Sequence, residues 1–213
     1  MTTPRIYLAF PLAFAALAHA RPAAAEAIVA DAPVHTHDSM YVQLTPGIGA
    51  VATATKLADD TEVSLSGAAS SLGIGIGFAV AENWLLGLDL SGALVLGPTL
   101  KQGGMEVKSD QSVKWSTYYV GVAASHYFMP LNLRVGLGIG ALQMALDLPH
   151  LPMETSKTGA AARLVIGKEW WVGDRWGLGV ALESTLGAVP DDKDNDKGWG
   201  VAAFSLALSA TYN

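Results

Sequence analysis

Leu72-Gly73-Ile74-Gly75-Ile76-Gly77-Phe78-Ala79-Val80 alternates a large apolar residue with a tiny one over its whole length. A helix would scatter these residues around its circumference. A strand sorts them onto two faces, large on one side and small on the other. Glycine also disfavours a helix by about 1 kcal/mol per residue. The same period recurs in Leu131-Asn132-Leu133-Arg134-Val135-Gly136-Leu137-Gly138-Ile139-Gly140 and in Trp176-Gly177-Leu178-Gly179-Val180-Ala181-Leu182-Glu183. None of these runs fits the G-x-G-x-x-G turn that feeds a helix in dinucleotide sites. The character of the second face decides the environment. In a half-buried soluble sheet that face meets water and carries Lys, Glu and Thr. Here it carries Gly, Ala and Ser with a few charges. A small closed barrel in lipid needs that arrangement: aliphatic residues outside, and small residues with scattered polar ones in a cramped interior.

The composition agrees. Hydrophobic residues make up 51% of the 213-residue chain and charged residues 15%, against about 25% charged in soluble domains. A net charge of −6 leaves no basic stripe for a nucleic acid. The absence of cysteine removes disulfides, thiolate catalysis and Cys-based zinc sites. At the N-terminus, Arg5 precedes an apolar stretch from Ile6 to Leu17, followed by small-residue sites at Ala18-His19-Ala20 and Ala23-Ala24-Ala25-Glu26-Ala27. Residues 1–27 therefore read as a cleaved export signal, ending between 20 and 27. The apolar stretch is shorter than the ~20 residues of a spanning helix. Residues 28–39 read as a flexible periplasmic tail, and 40–213 as the barrel.

Eight strands are expected: Met40–Ala52, Val63–Val80, Asn83–Leu96, Ser112–Phe128, Leu131–Leu146, Thr158–Val172, Arg175–Val189 and Gly198–Tyr212. The connections Ala81-Glu82, Met129-Pro130 and Gly173-Asp174 are tight. Those at Thr53–Glu62, Gly97–Gln111, Asp147–Lys157 and Pro190–Lys197 are long and polar. Short periplasmic turns and longer external loops are the habit of outer-membrane barrels. The expected fold is an all-β, eight-stranded antiparallel up-and-down transmembrane barrel. Aromatics give an independent check, because barrels place them on the lipid face at the interfaces. Phe78, Trp84, Phe128, Trp170, Trp176 and Tyr212 share parity with the lipid-facing aliphatics and fall at one end, beside the tight turns. Trp115, Tyr118, Trp199 and Phe204 are candidates for the opposite interface.

In strand count, loop asymmetry and aromatic placement, Met40 to Asn213 resembles the small eight-stranded outer-membrane barrels of the OmpA/OmpX type. The closing segment Phe204-Ser205-Leu206-Ala207-Leu208-Ser209-Ala210-Thr211-Tyr212-Asn213 looks like that family's assembly signal, though Asn213 follows the aromatic. The resemblance implies an outer-membrane location. It also implies lipid, periplasmic chaperones and the barrel-insertion machinery as partners. It specifies fold more than activity.

Interior parity gathers Asp89, Arg134, Arg163, Glu169 and Glu183. Inward-facing charges avoid the roughly 2–4 kcal/mol that Arg or Lys costs on the lipid face at midplane. If Trp170 opposes Trp176, Arg163 falls opposite Glu183. If Phe78 opposes Trp84, Asp89 falls beside Gly73. An internal ion-pair network is expected, acting as a plug or as the gate of a narrow pore. An eight-stranded barrel is about filled by its own side chains, which favours the plug.

Other candidates carry less. The run Asp191-Asp192-Lys193-Asp194-Asn195-Asp196-Lys197-Gly198 alternates carboxylates but lacks the Gly and Glu of a calcium-binding EF-hand loop, and reads as a solvated acidic loop. His35-Thr36-His37-Asp38 has no second ligand cluster and reads as tail. Ser125 and His126 are adjacent, so in a strand they face opposite ways. No cofactor, metal or catalytic group is expected. The leading expectation is a non-catalytic barrel that stabilises the envelope or meets a surface partner through its loops. The alternatives are a narrow channel for small or hydrophobic solutes, and a lipid A-modifying enzyme.

Overall fold

The computed structural model describes residues 36–57, 59–190 and 198–213. The expected export signal, residues 28–35 with His35, and the acidic run at 191–197 lie outside the described residues. The strands in chain order are β1 (Met40–Lys56), β2 (Glu62–Ala81), β3 (Trp84–Leu96), β4 (Thr99–Gln102), β5 (Met105–Lys108), β6 (Lys114–Phe128), β7 (Leu133–Asp147), β8 (Glu154–Thr155), β9 (Gly159–Trp171), β10 (Trp176–Pro190) and β11 (Gly198–Tyr212). Eight of them form the wall, in the order β1-β11-β10-β9-β7-β6-β3-β2, and β1 also pairs with β2. The sheet therefore closes, and the fold is an all-β, eight-stranded antiparallel barrel.

β4 and β5 form a hairpin that extends the β2 edge beyond the wall, Val63 to Ser66 pairing with Gln102 to Thr99. It occupies part of a stretch expected to be loop. Its turn residues Gly103 and Gly104 both have positive φ, 56° and 84°, as a two-residue hairpin turn requires. With four residues in each strand, the alternation is too brief to stand out in the sequence.

Alternation sorts the side chains as expected. Leu88, Ile139 and Leu206 point outward and are 55%, 69% and 52% exposed. Val51, Val95 and Val165 point inward and are buried. The small interior residues do not leave an empty bore. A Cβ on Gly87 would meet the Tyr41 hydroxyl at 2.7 Å, and one on Gly138 would meet that of Tyr119 at 2.8 Å. The glycines make room for tyrosines laid across the lumen.

Two expected registers are corrected. Trp170 lies opposite Leu178, and Arg163 opposite Thr185. Trp170 against Trp176 would have left Gly173 alone at the turn, too short to reverse the chain. The strands instead close where the Val172 amide donates to the Trp176 carbonyl at 2.9 Å, leaving Gly173 to Arg175 as the loop. Likewise Phe78 opposes Leu86 and Asp89 opposes Gly75, because β2 continues to Ala81 and the chain turns at Glu82 and Asn83.

Phe78, Trp84, Phe128, Trp170 and Trp176 are all about half exposed on the outer wall. Tyr212 shares their face and meets Trp176 edge-on at 5.2 Å between ring centroids. At the other end, Tyr118 and Phe204 point outward, but Trp115 is buried and Trp199 packs against the interior apolar cluster. Trp115 and Tyr118 are three residues apart on one strand, and Trp199 and Phe204 five. An odd separation forces opposite faces.

Leu88→Arg places a charge on the lipid face near mid-strand. Urea unfolding in phospholipid bilayers is expected to show a loss of about 2–4 kcal/mol, whereas Leu88→Val should change little. Equal stability of the Arg and Val variants would contradict the assignment of this face to lipid.

Candidate functional site

The lumen is layered. At the end bearing the tight turns, the segment before β1 folds under the barrel. The His37 amide donates to the Asn83 side-chain oxygen at 3.2 Å. Its ring nitrogens lie 2.5 Å from the Asn213 amide and 3.1 Å from that of Asn132. The imidazole stacks on Tyr127 with centroids 3.7 Å apart. Both contacts are to the amide oxygens, Asn213 Oδ1 and Asn132 Oδ1. Asn83 and Asn132 sit at turn positions with φ of 61° and 50°, which asparagine tolerates better than most side chains. His37 was expected in a free tail. It is 1% exposed and forms the floor of the barrel. The tail composition concealed this, because its partners come from three distant points in the chain.

Above the floor, Glu169 is buried among neutral donors. Gln43 Nε2 and Thr211 Oγ1 each donate to its Oε1 at 2.9 Å, and the Tyr127 hydroxyl at 3.2 Å. Arg134 donates to the Gln43 side-chain oxygen and, at 3.1 Å, to Ser125 Oγ. Gln43 thus links a guanidinium to a carboxylate that it does not directly touch. The next layer centres on Arg163. Its Nε lies 2.9 Å from Asp89 Oδ2 and its Nη2 2.9 Å from Glu183 Oε2. Nη1 donates to Ser91 at 2.8 Å, and Ser205 donates to Glu183 at 3.2 Å.

All five charged residues expected in the interior face the lumen. They form two clusters rather than one: Arg163 with Asp89 and Glu183, and Arg134 with Glu169 through Gln43. Three carboxylates share two guanidiniums. Gln43, Tyr41 and Tyr127 were not singled out from the sequence. Their interior parity was legible, but a neutral residue gives no charge signal to prompt the question.

The outer half of the lumen holds an apolar cluster with buried threonines beside it. Val51, Val95, Trp115, Tyr119, Leu142, Val189 and Val201 pack into one buried cluster. Between this cluster and the Arg163 layer lies a cavity of about 30 Å³, lined in part by Ser71, Tyr119, Arg163 and Glu183, which is enough for about one water. A larger depression of about 760 Å³ lies over the outer wall around Leu72, Leu90, Tyr118 and Gln143.

Ser125 is buried in the lumen, while His126 sits on the outer wall between Trp84 and Phe128, with centroids at 4.5 and 4.6 Å. The two cannot act as nucleophile and base on one substrate. Among the described residues, no cluster of three metal-ligating side chains occurs.

No family model matches the chain, and no curated protein does. Among solved structures, Neisserial surface protein A aligns with a TM-score of 0.52 at 15% identity, covering 81% of this chain and 96% of that one. The fold is that of the small eight-stranded outer-membrane barrels. The outer membrane protein OprG of Pseudomonas aeruginosa aligns with a TM-score of 0.45 at 11% identity, covering 84% of this chain and 98% of its own. The Escherichia coli outer membrane protease OmpT aligns at 0.43 and 9%, covering 83% and 97%.

Enclosed by the barrel wall and the apolar cluster, the Arg163 cluster has no bulk water to replace a lost partner. Arg163→Met strands two buried carboxylates and is expected to cost about 3–5 kcal/mol in reversible unfolding. Asp89→Asn leaves the Glu183 pair intact and should cost less. The triple variant Arg163→Met, Asp89→Asn, Glu183→Gln should recover most of the loss. If the single Arg163 variant proves as stable as the triple, the cluster is not the energetic unit described.

Proposed function

We propose that this chain resides in a Gram-negative outer membrane as a non-catalytic barrel that carries no solute through its lumen. Its role is to stabilise the envelope and to hold its external loops as a contact surface for a partner. The observation that carries this reading is the stacking of two independent seals. A layer of shared charges is covered on its outer side by a packed apolar cluster. An ion entering from outside meets the apolar layer first, and a hydrophobic solute that passed it would meet buried charges. Neither class finds a continuous path. The separation of Ser125 and His126 onto opposite faces supports the absence of acyl-transfer or hydrolytic chemistry. Assembly would proceed through periplasmic chaperones and the insertion machinery, with outer-membrane lipid as the lasting partner.

The test is conductance in planar bilayers, using protein whose gel mobility shifts on boiling and whose circular dichroism is β-type. No stepwise current is expected from the unaltered barrel, nor from Trp115→Ala, which thins one seal and leaves the other. Discrete steps from the unaltered barrel that vanish on changing Arg163 or Glu183 would overturn the proposal and establish the gated-channel alternative.

A further inference from the structure

The external mouth holds a second cavity, distinct from the sealed lumen beneath it. It measures about 550 Å³ and is lined by Thr53, Leu65, Trp115, Met144, Leu146 and Trp199, with Pro190 and Glu154 also on its wall. This volume falls in the range of small-molecule sites. β6 and β11 stand four strands apart in either direction around the wall, so the two indoles rise from opposite sides. The apolar cluster, including Val51, Val95, Leu142 and Val201, closes the way below.

This mouth differs from what a surface opening of a membrane barrel requires. Aromatics at the interface are normally spent on lipid, as Tyr118 and Phe204 are here. Trp199 instead turns inward and, with Leu65, Met144 and Leu146, lines an apolar concavity at the external end, while Trp115, 2% exposed, packs at its inner edge. Such a lining gains by being covered. The polar groups on the wall are largely engaged within the protein. Thr53 donates to the Gly200 carbonyl at 2.8 Å, and Ser156 Oγ accepts from the Met144 amide at 2.9 Å. Glu154 is the charged residue among the described lining residues, and its carboxylate disfavours an anion.

We propose that the external mouth is a blind-ended binding site for a small, flat, uncharged aromatic molecule, held against Trp199, Leu65, Met144 and Leu146 with the buried Trp115 ring beneath. The molecule is captured at the surface and does not traverse the barrel.

The test uses protein purified from membranes and placed in lipid nanodiscs, with 5-fluorotryptophan at its tryptophan positions. Fluorine spectra are recorded during titration with p-cresol. Trp84, Trp170 and Trp176 face lipid and report simple partitioning. The expected result is saturable shifts at Trp115 and Trp199, with only linear drift at the three lipid-facing positions. Leu146→Glu and Leu65→Gln, both checked for retained heat-modifiable mobility, should weaken p-cresol binding by about tenfold or more, and benzoate should bind the unaltered protein more weakly than p-cresol by a similar factor. Linear drift at all positions, saturation confined to the lipid-facing set, or unchanged affinity in either folded variant would overturn the site. Benzoate binding as well as p-cresol would overturn the assignment to uncharged ligands.

Discussion

In lipid, a backbone N–H or C=O without a partner costs several kcal/mol, and no water is present to supply one. A sheet placed there must have no edge. In this chain that condition is met by the pairing of β1 with β11, Val42 to Ala54 lying against Tyr212 to Gly200. The rest of the architecture follows from that closure. Eight strands bent into a ring enclose a narrow interior, so the inward face must be small wherever something else crosses it. Gly87 and Gly138 are small because Tyr41 and Tyr119 pass over them. The outward face must be aliphatic, and a few long polar side chains have nowhere to go but inside.

Once inside, charge must be neutralised locally. Arg163 suits this task because a planar guanidinium presents several donors in fixed directions and can serve Asp89 and Glu183 from separate nitrogens. Glu169 is managed differently, by a ring of neutral hydroxyl and amide donors. Removing charge altogether from such an interior is often tolerated or even stabilising, whereas removing one partner is not. The Glu169 donors all converge on Oε1, and among the described residues Oε2 accepts no hydrogen bond. The apolar layer above the network keeps water from competing for those same hydrogen bonds.

Much of this was legible from residue order. Period-two alternation marked the wall strands from Leu72 to Val80 and from Trp176 to Glu183. The parity of Asp89, Arg134, Arg163, Glu169 and Glu183 identified their common face. Registers were less legible, because alternation fixes the face of a residue and leaves its partner ambiguous by steps of two. The geometry of the Gly173 and Glu82 turns settles that ambiguity. Trp115 and Trp199 were misplaced because aromatic type was weighted above parity. His37 was legible only as a histidine near the first strand. Nothing local announces that Asn83, Asn132 and Asn213 converge on it.

That convergence bears on the order in which the molecule becomes complete. His37 is separated from its three asparagine partners by 46, 95 and 176 residues. Contacts at such separations form only after the intervening chain has been organised. Asn213 follows the last strand, and the β1–β11 seam brings it beside the segment before the first. The His37 ring can therefore be shared between the Asn132 and Asn213 amides only in a barrel whose wall has already closed. The floor acts as a record of finished assembly: a chain arrested with its seam open has every strand but lacks the surface on which this histidine comes to rest.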